Sequence, residues 1–310
     1  MLAGLSGPVI AAAGGWVRMN PSLVHAFTVD VEDWFHTLDC PQMPPLEKYD
    51  DFASRVEVNT ALVLDMLERH EVRGTFFILG WVADRYPGLV RRIVSAGHEI
   101  AVHGYAHVLA SSLSDEELEA DTRRAFEAVG SAAGLAPVGY RSPGGSLLAR
   151  QRWLFDLLLE LGTHYDSSVY PRSGSLAETE GHPKRPYVIH RSGDRTLWEY
   201  PSTVRKVLGL NWPFAEGGYL RLMPLALVRK WFRESASERL RVNVCVHPRE
   251  FDPDQPRLPL SLLRQWKTQV NIRGNQEKVE SILSEFKFAP MGTILDELAS
   301  GSVTSVSSRA

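Results

Sequence analysis

The sequence predicts an α/β barrel of about seven strand–helix units, and three observations carry that expectation. Short apolar runs alternate with segments of helical periodicity, the pattern of parallel βαβ units. The units are enough for a closed or nearly closed barrel rather than an open sheet. Asp30, His103, Arg141, Asp166 and His247 each fall at or just past the C-terminal end of a strand-like run. Parallel barrels build their sites at that rim.

Residues 2–17 are uncharged and rich in small and apolar side chains, without a basic leader or the length of a membrane span. Residues 1–20 therefore read as a disordered N-terminal extension ahead of a catalytic barrel over 21–258. His25–Val31 is the first buried strand and ends in acid. A Pro-rich loop at 40–46 follows, then a helix over 55–71 with Val58, Leu62, Leu64 and Leu67 at helical spacing. Thr75–Leu79 is a continuous apolar run, as expected of a strand covered on both faces. A helix over 87–96 opens with Pro87 in its first turn and closes at Gly97.

The third strand, 98–102, ends directly at His103. Ser114 and the acids after it start a helix running to about Val129. A strand over 137–141 leads into Ser142-Pro143. A helix over 148–161, a short strand over 163–166 and a loop-rich stretch over 170–186 come next. Residues 187–190 and 196–200 read as a hairpin, 223–236 as a helix, and 241–246 as a last strand ending at His247. Helices over 259–268 and 275–286 form a C-terminal extension over 259–310, packed on the barrel, with a disordered tail after about residue 300.

At 310 residues, 44% hydrophobic and 23% charged, the chain has the composition of an ordinary globular protein. Its net charge of −3 gives no electrostatic case for nucleic acid. Cys40 and Cys245 make no disulfide framework, and Cys245 reads as a buried thiol. No segment has the uninterrupted apolar length of a transmembrane helix. Without a convincing export signal, the cytoplasm is the expected compartment.

His103-Gly-Tyr-Ala-His107 carries the chemistry. Residues i and i+4 are neighbours on a helix surface, so one helical turn here aims both imidazoles at one point. One added carboxylate completes a set that holds a divalent metal and leaves a position open for water. The acid comes from Asp30-Val-Glu32-Asp33. Strand alternation puts Asp30 and Glu32 on one face and favours Glu32 as ligand; a turn after Val31 favours Asp33 instead. The other histidines, His36 among them, show no partner pattern.

Taken in order, several motifs resemble the polysaccharide deacetylases with a nodulation-type (chitooligosaccharide deacetylase) homology domain. They are Thr28-Val-Asp-Val-Glu-Asp-Trp-Phe35, His98-Glu-Ile-Ala-Val-His-Gly-Tyr-Ala-His107, Gly139-Tyr-Arg-Ser-Pro143, Tyr165-Asp-Ser-Ser168, Gly217-Gly-Tyr-Leu-Arg-Leu222 and the stretch from His247 to Pro256. The likeness covers about residues 25–250, with a C-terminal extension to about Pro290. It is greatest to the branch found with exopolysaccharide and exosortase loci. Arg249 stands where that branch commonly has tryptophan.

The resemblance implies a distorted (β/α)7 barrel and a metal-dependent hydrolase that removes the acetyl group from an N-acetylated sugar. It implies His103, His107 and an acid (Glu32 or Asp33) as ligands of a divalent ion, zinc first, with cobalt, nickel, manganese or iron on the same donors. It implies Asp30 as base, Arg141 as its partner, His247 as acid and Asp166 as the group that orients His247. Asp166 also reads as the cap of the turn formed with Ser167 and Ser168. Ser142, Pro143, Trp34 and Tyr219 are the substrate-binding candidates, although Trp34 and Tyr219 read first as core or rim packing. The rival expectations are hydrolysis of another C–N bond, such as a formamide, cyclic imide or ureide, and an inactive carbohydrate-binding scaffold.

Overall fold

The computed structural model describes residues 9–12, 15–18, 23–38, 44–170 and 183–306, the first two stretches and 301–306 as backbone alone. Among the described residues, seven parallel strands form the main path of the barrel sheet: β1 (Val24–Val31), β2 (Thr75–Ile78), β3 (Glu99–Val102), β4 (Gly139–Tyr140), β5 (Tyr165–Asp166), β6 (Arg195–Glu199) and β7 (Asn243–Val246). In space they run β7-β1-β2-β3-β4-β5-β6. Among the described residues no ladder joins β6 to β7. The far edge of β7 carries only a single bridge, Glu216 to Cys245. This gap is the distortion of the barrel. The expected hairpin is present, with Tyr187–Ser192 antiparallel to β6.

The strands are legible because both their faces are covered. One face alternates into the helical layer, where Val29, Val31, Phe76, Ile78, Ile100 and Val102 meet the packed sides of α1 (Val56–Arg69), α2 (Gly80–Arg85), α3 (Pro87–Ser95) and α4 (Asp115–Ala133). The opposite alternation points into the barrel. There Ala26, Phe77, Ala101 and Tyr165 pack with Met291, Ile294 and Leu295 of the last helix, so that helix fills the end of the barrel away from the rim. Further along β1 the inward positions become polar, at Thr28 and then Asp30. One strand thus supplies core at one end and chemistry at the other.

Helix α4 is closed at its start by a capping box in which Ser114 and Glu117 satisfy each other's backbone N–H, and it ends at Gly134 in the left-handed conformation. Helix α1 buries two of the four positions that the spacing names, Leu64 and Leu67, and turns the other two outward. Val58 and Leu62 are exposed, and the buried stripe is Val56, Asn59, Thr60, Val63, Leu64, Met66 and Leu67. Two polar members hid that stripe; Asn59 is buried because its amide donates to the Asp252 carboxylate.

The expected helix over 148–161 is a short 3-10 turn at Ala149–Gln151 followed by α5 (Leu154–Glu160). The chain then adds a hairpin, Val204–Val207 with Leu210–Pro213, that the sequence did not predict. Helices α6 (Gly217–Leu222), α7 (Leu225–Ser237), α8 (Leu262–Gln269) and α9 (Asn275–Glu285) follow. The chain ends with a strand, Lys287–Ala289, parallel to β1, and α10 (Met291–Val306).

Val9–Ala12 pairs with Gly15–Arg18 as an antiparallel hairpin within the N-terminal extension, and α10 carries regular backbone past residue 300. The rest of 1–20, the final four residues, Cys40 and most of the loop-rich stretch lie outside the described residues. No described helix is long and apolar enough to cross a membrane.

Candidate active site

Asp30 is the last inward position of β1, and its carboxylate is held from several sides. Arg141 Nη1 donates to Oδ1 at 2.6 Å, and the Cys245 thiol sits 3.4 Å from Oδ2. Arg141 itself is buried at the end of β4. It also donates to Thr28 Oγ1 at 3.1 Å and Ser167 Oγ at 3.0 Å, and its guanidinium lies over the Phe77 ring at 3.9 Å. Burial alone pushes the Asp30 carboxyl up. Arg141, His103 and His247 outweigh it, so the group is held below its usual value.

His103 and His107 do converge, but not on a helical turn. The 103–107 segment is irregular, with Gly104 at φ +71° and His107 at φ +54°. These left-handed residues, not a helical repeat, fold the two rings toward each other, with centroids 5.3 Å apart. His103 Nδ1–H donates to the Arg141 carbonyl at 2.8 Å, which leaves Nε2 as the free lone pair. Burial, the dominant influence, lowers the His107 pKa and keeps that ring neutral.

Glu32, just past β1, meets both rings. Its Oε1 lies 3.3 Å from His103 Nε2 and 2.8 Å from His107 Nε2. The donor atoms of Glu32, His103 and His107 all lie within 4.8 Å of one another, and all three residues are buried. His107 Nε2, close as it is, makes no aligned hydrogen bond, and Glu32 Oε2 likewise has no hydrogen-bond partner. Two imidazoles and one carboxylate, with donor atoms converging and unspent, fit a divalent ion. A second grouping, Asp30, Cys245 and His247, fits less well. Asp30 is committed to Arg141, and burial together with Asp30 holds the Cys245 thiol protonated, well above its usual value.

Asp33 is not in this cluster. Its carboxylate accepts from the Ser54 hydroxyl and from the N–H groups of Trp34 at 2.8 Å, Arg55 at 3.1 Å and Val56 at 3.3 Å. It thus satisfies orphan donors at the start of α1. Its own N–H is taken by His36 Nδ1 at 2.9 Å. Asp33→Ala is therefore expected to cost about 2 kcal/mol of stability, read from urea unfolding. It should leave the three clustered side chains in place.

His247, at the end of β7, reaches in from the other side, its Nε2 3.7 Å from Glu32 Oε1 and 3.9 Å from Asp30 Oδ2. Its neighbour is not Asp166, as the resemblance implies. Glu250 Oε2 lies 3.4 Å from His247 Nδ1 and accepts the His247 N–H at 3.1 Å. Glu250 is itself paired with Arg221 at 3.1 Å. Burial lowers the His247 pKa, but Glu32 and Glu250 overcome it and hold the imidazole at about 9. The spacing His247-Pro-Arg-Glu250 is that of a capping box, the one signal in the sequence that points to this partner.

Asp166 lies behind the site. It accepts from Ser168 Oγ at 2.5 Å, and burial pushes its carboxyl up to about 6 beside Glu199, which burial raises further. Ser168 in turn accepts the Ser142 N–H at 2.8 Å.

The cavity at the rim has a volume of about 280 Å³. Asp30, Glu32, His103, His107, Arg141, Ser142 and His247 line it; Pro143 and Trp34 do not. Trp34 packs against Phe35 and Phe52, and its indole N–H donates to the Ala53 carbonyl. Pro143 is buried, its carbonyl accepting from Ser146. Tyr219 lines a neighbouring cavity. Residues that the sequence gave no reason to place here are Cys245, Ser167, Gly144 and Glu216, the last with its carboxyl raised to about 7 by burial.

A model described as polysaccharide deacetylase matches residues 48–159, which hold His103, His107 and Arg141. The chain thus carries a polysaccharide deacetylase domain over residues 48–159. A model of a domain of unknown function (DUF3473) matches residues 167–296, which hold His247 and Glu250.

A peptidoglycan-N-acetylglucosamine deacetylase of Bacillus cereus is 36% identical over 95 residues, 30% of this chain and 34% of that protein. A chitooligosaccharide deacetylase of Rhizobium leguminosarum is 37% identical over 73 residues, 24% of this chain and 34% of that protein. Each match thus spans about a third of the relative's length. Among solved structures, a Mycobacterium smegmatis protein assigned as a polysaccharide deacetylase shares the fold at TM-score 0.61 and 22% identity, over 95% of this chain and 96% of that one. PuuE allantoinase shares it at TM-score 0.53 and 15% identity, over 90% of this chain and 94% of that one.

Proposed function

We propose that this protein is a metal-dependent hydrolase that removes the acetyl group from an N-acetylated sugar. One observation carries the reading: Glu32, His103 and His107 converge on one point at the barrel rim, with Asp30–Arg141 on one side and His247–Glu250 on the other. The relatives named as peptidoglycan and chitooligosaccharide deacetylases agree with it.

Glu32, His103 and His107 would hold the ion. Zinc is the first choice, since tetrahedral N/O donors with an open position suit it. When bound, a divalent ion acidifies water from a pKa of 15.7 to about 7 and polarises a carbonyl. Asp30, ionised beside Arg141, takes the proton of the attacking water. Arg141 keeps that carboxylate aimed through its further bonds to Thr28 and Ser167. The Ser142 N–H is spent on Ser168, and Pro143 has none, so the first amide after Arg141 left to face a developing oxyanion belongs to Gly144, which lines the cavity. His247, held charged by its carboxylate neighbours, delivers a proton to the departing amine.

Acetate release from a panel of N-acetyl sugars tests the reading. Release is expected from the purified protein, to vanish with chelator and to return with added zinc or cobalt. His107→Ala should bind no stoichiometric zinc by metal analysis. Release that is indifferent to chelator would sink the proposal.

A further inference from the structure

The catalytic cavity holds a second convergence of ligand-type atoms, built around the two groups that move protons in the proposed reaction. Asp30, Cys245 and His247 each bring one donor atom within 4.8 Å of the others. All three residues line the cavity, so a small solute can reach the point between them. Asp30 gives Oδ1 to Arg141 and turns Oδ2 the other way, 3.4 Å from Cys245 Sγ and 3.9 Å from His247 Nε2. Bonds of about 2.0–2.3 Å to a tetrahedral ion set neighbouring donors about 3.3–3.8 Å apart. Small side-chain movements therefore suffice to seat such an ion.

The orientation of the donors supports the same reading. Cys245 pairs with Thr28 across the β7–β1 ladder, which places its sulfur beside Asp30, two residues further along β1. Glu250 faces His247 Nδ1 at 3.4 Å and leaves Nε2 directed at the cluster, the carboxylate–histidine arrangement that prepares an imidazole for a metal.

The set is selective against hard cations. The Arg141 guanidinium lies 3.4 Å from the Cys245 sulfur and repels any cation, and the thiol proton must be expelled before the sulfur can bind. Only an ion with a strong bond to sulfur overcomes both, and thiolates select soft ions. The Glu32, His103 and His107 set has no thiol proton to expel and fills first. We propose that Asp30, Cys245 and His247 form an inhibitory site for a thiophilic divalent ion, zinc in excess or cadmium. The ion bonds Asp30 Oδ2, Cys245 Sγ and His247 Nε2; the thiol and the imidazolium each release a proton to solvent, and no atom changes oxidation state. An ion seated there takes both the base and the acid, so turnover stops while the resident ion stays bound. The site stands on these three donors alone; only its inhibitory effect rests on the deacetylase reading.

Cadmium added to protein that already carries an equivalent of zinc tests the proposal. A further equivalent of metal is expected to bind with the zinc retained, and to bring up the ultraviolet charge-transfer band of a cadmium–thiolate bond. Cys245→Ser is expected to abolish the band and to weaken that equivalent at least about tenfold, and Asp30→Asn to weaken it by a similar factor. Cys40→Ser, which changes the chain's other thiol, should leave the band intact. No band in the unmodified protein, or a band that survives Cys245→Ser, overturns the site. Acetate release measured in parallel separates the two claims. Release that cadmium inhibits, with an inhibitory concentration raised at least about tenfold by Cys245→Ser, supports both. A full band without any release removes the deacetylase reading and keeps the site. Release that persists under a full band overturns the inhibitory role.

Discussion

Asp30→Asn is expected to lower kcat for acetate release by about 10²–10⁴, the range that a positioned general base supplies. The substitution changes the charge and almost nothing else. An asparagine oxygen still accepts from Arg141 Nη1, which now sits 2.6 Å from Asp30 Oδ1. Arg141 also keeps its bonds to Thr28 and Ser167 and its place over Phe77. What is lost is an acceptor able to take a proton, and with it the partner of a buried cation. Outright removal of one member of a buried pair costs about 3–5 kcal/mol. The isosteric amide should cost less, so the variant should remain folded by circular dichroism with a lowered Tm. KM should stay within about threefold if Asp30 acts on the proton and not on substrate binding. Turnover retained within tenfold in a folded Asp30→Asn protein would remove Asp30 from the mechanism.

Much of the barrel was legible because its strands are covered on both faces and so read as continuous apolar runs, of which Thr75–Ile78 is the clearest. The rim was legible for a related reason: a polar residue that ends such a run, as His103 and His247 do, has no role in the core. What the sequence hid depends on partners far along the chain. The stripe of α1 contains Asn59, buried only because Asp252 faces it from 193 residues away. Asp33 is indistinguishable by composition from a ligand, and it is the N–H groups at the start of α1 that claim it. Cys245 read as a plain buried thiol because nothing local reveals that it faces Asp30 across two neighbouring strands. The last helix carries Gly, Ser and Thr in its second half, a poor helical signal, and its formed residues pack into the barrel end through Met291, Ile294 and Leu295.

Glu250→Gln is expected to move the alkaline limb of the activity profile toward neutral pH by about one unit or more. An imidazole acts as an acid only while protonated, so activity that depends on His247 is present below its pKa and lost as pH rises through it. That pKa is held at about 9 against the opposing effect of burial, with Glu32 and Glu250 as the leading carboxylates. Should an ion engage Glu32, Glu250 and Asp30 would be the carboxylates left to keep the ring charged, with Glu250 the larger influence. Glutamine preserves an oxygen for the His247 N–H, and Arg221 retains its three carbonyl acceptors, so the loss is chiefly one of charge. The variant should therefore fall well below the wild type at pH 8 and approach it near pH 6.

The same pair ties stability to pH. Glu250, lowered from 4.5 to about 2, contributes stability that is present above 4.5 and lost as pH falls toward 2. His247, raised from 6.5 to about 9, contributes stability that is present below 6.5 and lost as pH rises through 9. Asp166→Asn is the contrasting variant, since that carboxyl bonds Ser168 and sits beside Glu199 rather than at the imidazole. Its alkaline limb should stay where the wild type's lies. A limb that moves with Asp166 and not with Glu250 would return the orienting role to the residue the resemblance first implied.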